Sequence, residues 1–368
     1  MKQDILSLDF WQGTVIYGGK VFDGGTLGCD SLNIPSSVIA QLNVLCLSLN
    51  LFMATINTGN GNPALLPAAR ESAKQIAALL EKVKPFSYLD TSSVTDDIER
   101  IFSEDYLANA NAYYVAVQNG TLAGLTDPRY EKAMVLLRVL PVMAHLGFSL
   151  GEYQKTMIAF ADKLNKPGCK RTPEGYAELF GSAFPATPNF DDGGTWMSMT
   201  NATVQYIPVV RPGCEVSMLV KRMHYVSFVG MFRSDLFEGL CEGHAPKKCP
   251  ICGRWFLTTN ARPTKYCGGY APGDKLHRTC RQIGNLKGRE QRELAADHPL
   301  KQIYETRLNT INRYVKRGSL DQKLAEVMKK LAKDKMYQAI SNVSYAQEGY
   351  AKEMEQDALK AEAEAQLE

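Results

Sequence analysis

The chain of 368 residues is 45% apolar and carries three tryptophans, a composition that excludes a disordered protein and leaves room for about two domains. Its nine cysteines, five of them scattered (Cys29, Cys46, Cys169, Cys214 and Cys241), argue against a disulfide-stapled scaffold and for a reducing, cytoplasmic setting. The net charge of +3 conceals a division: residues 241–318 hold 16 Lys/Arg against 6 Asp/Glu, residues 1–240 hold 19 against 23, and residues 319–368 hold 7 against 10. A polyanion would therefore meet the chain between 241 and 318.

The opening MKQDILSLDFWQG has no basic start followed by an apolar run, so no signal peptide is expected. Thr14-Val15-Ile16-Tyr17 and Lys20-Val21-Phe22, joined by Gly18-Gly19, predict a β-hairpin with a two-residue turn. After Pro35, the residues Val38, Leu42, Leu45, Leu49 and Met53 keep helical spacing, with Ser36 or Ser37 as the cap. Further helices are predicted over 68–84, 96–102, 106–117, 130–146 and 150–164, with Asn119-Gly120 and Gly147 as stops. Gln41, Asn43 and Asn50 interrupt one apolar window, and Arg138, Pro141 and His145 interrupt another. Neither is read as a membrane span, and His145 reads as a satisfied core histidine. Residues 166–201 are loop-rich, and Asp191-Asp192-Gly193-Gly194 reads as a solvated turn rather than a carboxylate site. A strand is predicted over 204–210, ended by Arg211-Pro212-Gly213. A helix over 216–242 is expected to run without a linker into the cysteines that follow.

Cys249-Pro250-Ile251-Cys252-Gly253 has the form of a zinc knuckle, a tight turn that presents two thiolates to one metal. Cys267 follows after fourteen residues and Cys280 after a further twelve, a second pair at the distance seen in zinc ribbons. Four soft ligands in a tetrahedron are what Zn²⁺ prefers, so Cys249, Cys252, Cys267 and Cys280 are the expected ligands of a structural zinc. His277 is the alternative fourth ligand, but Cys280 matches the other three in softness. Four cysteines also leave no coordination position for a reacting water, and no P-loop, H-E-x-x-H, G-x-S-x-G or G-x-G-x-x-G motif is present, so an enzyme is not expected. Residues 254–259 predict a strand, 260–264 its turn and 265–266 the return. Thr279 is placed to cap a helix beginning near Cys280, where the positive helix end favours thiolate. Knuckle, hairpin and ligand-bearing helix make a treble-clef-like layout.

On the helix that follows, Arg281, Asn285, Arg289 and Arg292 share one face, and Ile283, Leu286 and Leu294 another. Asp297-His298-Pro299 starts the next helix. Ser319-Leu320-Asp321-Gln322 and Ser344-Tyr345-Ala346-Gln347 read as capping boxes, and the last Ala/Glu-rich stretch is helical by propensity. The expected fold is mainly α with small β elements. It divides into a largely α-helical domain at 1–240 with an N-terminal β-hairpin, a zinc-finger module at 241–296, and C-terminal helices at 297–368.

The run K-K-C-P-I-C-G-R-W-F, then K-Y-C, then T-C-R-Q-I-G resembles the CGNR-type zinc finger found at the C-terminal end of bacterial stress-type transcriptional regulators. It is more similar to a bacterial family of unknown function that joins a helical N-terminal region to such a finger and a following helix pair. The residues that carry the resemblance are Cys249, Cys252, Gly253, Arg254, Phe256, Tyr266, Cys267, Thr279, Cys280, Ile283 and Gly284. The resemblance implies zinc binding and a regulatory, DNA-binding role. The charge distribution assigns Arg254, Arg262, Lys265, Arg281, Arg289 and Arg292 to nucleic-acid phosphates. Trp255 and Tyr266 are expected to pack a small core rather than stack on bases. The alternative is an interaction module in which zinc is purely structural, with a protein or small-molecule partner held by residues 1–240. A membrane partner is not expected.

Overall fold

The computed structural model describes residues 5–92, 94–121, 127–166, 168–183, 200–259, 264–293 and 298–367, with the backbone alone at 288–293 and 343. The Asp191-Asp192-Gly193-Gly194 turn, Arg262, and the side chains of Arg289 and Arg292 lie outside the described residues. Along the chain run β1 (Ser7–Trp11), β2 (Thr14–Tyr17), β3 (Lys20–Asp23), α1 (Thr26–Ser31), α2 (Ser36–Asn57), α3 (Leu66–Leu80), α4 (Val94–Ile101) and α5 (Glu104–Gln118). They are followed by α6 (Glu131–Ala144), α7 (Leu146–Leu164), α8 (Pro173–Ala183), β4 (Ala202–Val210), β5 (Ser217–Tyr225), α9 (Phe228–Cys241), β6 (Ala245–Lys248) and β7 (Trp255–Thr258). The last elements are α10 (Cys280–Glu293), α11 (Pro299–Lys316), α12 (Gln322–Ser341), α13 (Val343–Glu348), α14 (Tyr350–Glu353) and α15 (Gln356–Leu367). The fold is mainly α with small antiparallel β elements.

The chain divides into two compact units. One comprises Met1–Ala161, Tyr176–Pro246 and Trp255–Ala261, the other Asp162–Gly175, Lys247–Arg254 and Arg262–Glu368. The boundary passes through the cysteine-rich stretch because Asn33 draws β7 into the first unit. Its Oδ1 accepts from Trp255 N at 2.7 Å, and its Nδ2 donates to Trp255 O at 2.9 Å.

The first unit is built on a five-stranded antiparallel sheet in the order β3-β2-β1-β5-β4. Gly18 and Gly19, with φ of +56° and +70°, make the two-residue turn between β2 and β3. The helix expected over 216–242 is a strand as far as Tyr225 and a helix only from Phe228. Leu219 and Met223 do have helical spacing, but β1 and β4 flank this segment and offer it a hydrogen-bonded ladder on both edges. Arg222 seals the register with two bonds to the buried Asp9 carboxylate, at 2.6 and 2.7 Å.

Behind the sheet, α1 and α9 approach closely at Gly28, where a Cβ would sit 2.5 Å from the Phe232 carbonyl oxygen. The buried Asp235 carboxylate accepts from Gly25 N and Gly28 N, each at 3.0 Å, and so satisfies the first turn of α1. Burial nevertheless pushes the Asp235 carboxyl up to about 7. Helix α2 packs against α3, α5 and α6, and Asn50 Nδ2 caps the end of α6 through Ala144 O at 2.8 Å. Gly147 is not a stop. It lies in the first turn of α7, where an added Cβ would come within 2.6 Å of Asn43 Oδ1. His145 is exposed at the end of α6, not buried in the core. By length and composition α2 is apolar enough to cross a membrane, and Val44, Leu47 and Leu51 stand exposed on it.

In the second unit, α11 to α15 enclose a core that includes Ile311, Val327, Met328, Leu331, Met336 and Tyr350. Asp321, not Ser319, caps α12, and Asn342, not Ser344, caps α13, since a carboxylate or amide oxygen one residue before each helix reaches its N–H groups. The Ala/Glu-rich α15 packs on α12 through buried Leu359 and Ala363, and Lys335 bonds both Glu353 and Glu362.

Asp235 binds its proton more tightly folded than unfolded. It therefore stabilises the fold fully at pH below about 4, and that contribution is lost as pH rises through about 7. Asp235→Asn should remove a component of at most about 1.4 kcal/mol per pH unit from the dependence of stability on pH. Urea unfolding of both proteins between pH 4 and about 7.5 measures it, and parallel curves would refute it.

Candidate metal centre

The four ligand candidates of the 249–280 stretch come together within the second unit. Their Sγ atoms all lie within 4.8 Å of one another, and Cys252 Sγ is 3.5 Å from Cys267 Sγ. A tetrahedron with zinc–sulfur bonds of about 2.3 Å has sulfur–sulfur edges of about 3.8 Å, so the donor set and its spacing fit a tetrahedral soft metal. Cys249 and Cys280 are buried, while Cys252 and Cys267 are half-buried. His277 is exposed and lies outside the group.

Local structure explains each position. Gly253, at φ +73°, closes the knuckle, with Gly253 N donating to Cys249 O and Cys249 N to Arg254 O, both at 2.8 Å. This turn makes β6 the partner of β7, whereas sequence had paired the strand with 265–266. Closure over the knuckle joins strands only a few residues apart, and residues 264–269 form no strand. The twelve residues between Cys267 and Cys280 form a small excursion. Tyr270 bridges Thr279, Cys280 N donates to Gly269 O at 2.9 Å, and the Asp274 carboxylate grips Arg278 at its tip at 2.6 Å. The same grip holds the Asp274 carboxyl down at about 2. Thr279 then opens α10 by a reciprocal pair of bonds with Gln282, at 2.8 and 3.2 Å, which places Cys280 in the first turn.

The sulfurs are electrostatically unlike. Burial resists ionisation of Cys249, yet N–H groups of Cys252, Cys267 and Ile251 bring its thiol down to about 7. Burial pushes Cys280 well up, reinforced by the neighbouring Cys267, Cys252 and Cys249 sulfurs, and Cys267 is also raised, first by burial. Four thiols this close cannot all ionise unaided, and a divalent cation removes that obstacle.

Arg254 and Arg281 are exposed, each immediately beside the cluster in the chain, and Lys265 is exposed next to Tyr266. Trp255 is buried in the first unit and Tyr266 is half-buried, so neither offers an open stacking face. Sequence reasoning missed two supports of the site. One is the Asp274–Arg278 clamp, legible only as an i,i+4 charge pair in what looked like a loop. The other is Gly284, where a Cβ would lie 2.3 Å from the Tyr266 ring.

Residues 197–366 match a family of unknown function, DUF6076. No curated protein and no solved structure matches the chain. The matched stretch contains all four cysteines, and the likeness to a CGNR finger rests on the motif residues alone.

Gly284→Ala should drive Tyr266 from its place and destabilise the metal-loaded second unit by about 1–3 kcal/mol. Gly284→Ala combined with Tyr266→Leu should recover part of that loss in a chelator-challenge melt. Additive losses would show that the two side chains do not meet.

Proposed function

We propose that the four cysteines hold one structural Zn²⁺ and that the zinc-bearing unit is a nucleic-acid-binding element of a regulatory protein. Cys249, Cys252, Cys267 and Cys280 would complete the zinc shell, which leaves the metal a staple and not a catalyst. The nucleic-acid reading draws its support from Arg254 and Arg281. Both are exposed beside cluster cysteines, and among the described residues neither has a carboxylate partner within 4 Å. Such side chains suit phosphate oxygens, whose contacts position a protein on the strand without reading its sequence. A partner held by the first unit is a second reading. It is favoured by the exposed Val44, Leu47 and Leu51 at helical spacing on α2.

Cys252→Ser should lower zinc from about one ion per chain and melt the 247–293 segment, as atomic emission and hydrogen exchange would report. Retention of the full metal content would refute the ligand assignment. For nucleic acid, Arg254→Gln with Arg281→Gln should weaken binding of DNA or RNA and flatten the log–log salt slope by about 2, at unchanged zinc content. An unaltered slope would refute the phosphate role of these arginines.

A further inference from the structure

A cavity of about 620 Å³ lies within the second unit, beside the knuckle and apart from the sulfurs themselves. That volume is in the range of sites that enclose a small ligand. Six lysines line it, Lys247, Lys248, Lys265, Lys287, Lys330 and Lys333, and among the described residues Asp334 is the one lining carboxylate. They arrive from separate places: the end of β6, the segment before Cys267, α10, and successive turns of α12.

The charge is largely uncompensated. Among the described residues, none of Lys247, Lys265, Lys287, Lys330 and Lys333 has an ion-pair partner within 4 Å. Burial opposes ionisation of the Asp334 carboxyl, and Lys330, Lys265 and Lys333 all act on that one carboxylate in the opposite sense. Like charges crowded at a half-enclosed surface repel each other unless an anion arrives, and one singly charged anion would leave most of that repulsion standing. A chain of phosphates brings several negative charges in a compact form, and freely turning ammonium groups meet its oxygens as point charges. The lining also includes Pro250, Ile251, Tyr266 and Tyr337, which offer apolar contact between the lysines. A concave site lined by cations from several elements suits a compact ligand better than a long strand, which needs an open stripe of charge.

We propose that this cavity binds a small ligand through contiguous phosphates, with any organic group the ligand carries lying against the apolar lining residues. The site goes beyond the nucleic-acid reading and does not depend on it.

Calorimetric titration of the zinc-loaded full chain with tripolyphosphate, orthophosphate, a nucleoside triphosphate and a single-stranded oligonucleotide tests it. Tripolyphosphate should bind saturably and at least about tenfold tighter than orthophosphate. Lys330→Gln with Lys265→Gln should weaken tripolyphosphate by about tenfold or more, while Arg281→Gln leaves it unchanged. Both substituted lysines are exposed, so the pair should keep its zinc and its melting temperature. A nucleoside triphosphate that binds more tightly than tripolyphosphate, and loses the gain in Tyr337→Ala, assigns the organic group a place against Tyr337. Equal affinity assigns the free polyphosphate. Tripolyphosphate binding with no oligonucleotide binding keeps this site and removes the nucleic-acid reading. Absence of saturable tripolyphosphate binding, or binding indifferent to the lysine pair, overturns the site, whatever the oligonucleotide does.

Discussion

Four sulfur atoms confined within 4.8 Å set the terms for the second unit. As thiolates they repel, and as thiols they are weak hydrogen-bonding groups with little to hold them together, so a cation among them would relieve the repulsion. The backbone nearby is shaped to bring them there. The knuckle reverses the chain at Gly253, the Asp274–Arg278 clamp steadies the excursion from Cys267 to Cys280, and the Thr279–Gln282 pair starts α10 at the last sulfur. These are short-range devices of modest individual worth. They set direction, and a bound metal would supply the energy that small cores lack.

The first unit relies on a different constraint, the burial of polar groups whose partners are distant in sequence. Asp9 finds Arg222, and Asp235 finds the N–H groups of Gly25 and Gly28 more than two hundred residues away. Removing one partner of such a pair leaves a desolvated charge, which costs more than the pair contributes. These bonds therefore specify register. They fix β5 between β1 and β4 and hold α1 against α9.

Positive charge in the second unit is arranged at two scales. Arg254 and Arg281 are exposed to solvent beside the cluster. The lysines instead converge on a cavity, where mutual repulsion is larger and a compact polyanion relieves it more completely. Composition alone cannot tell these arrangements apart. The basic excess of residues 241–318 contains both arginines and four of the six cavity lysines, but Lys330 and Lys333 come from a stretch whose overall balance is acidic.

Much of what is local was legible in the residues. Gly18-Gly19 specified its hairpin because both positions need positive φ. The spacing of apolar residues marked the major helices, and Cys249-Pro250-Ile251-Cys252 with Cys267 and Cys280 marked the cluster, since that spacing is the one a tetrahedral soft-metal site uses. Pairing was not legible. Residues 217–225 carry apolar spacing that suits a helix as well as a strand, and only the edges of β1 and β4 decide for the strand. Likewise β7 reads as one arm of a hairpin with 265–266, but it pairs with β6, and Asn33 joins it to the first unit. Gly147 looks like a helix stop until Asn43 arrives beside it, and the need for Gly284 shows only where Tyr266 packs against it. Local chemistry thus determined the hairpin turn, the major helices and the placing of the four cysteines, because their partners lie within a few residues or repeat at a known spacing. Tertiary structure decided strand partners, glycine roles and the cation-lined cavity, because each depends on groups that sequence order does not bring together.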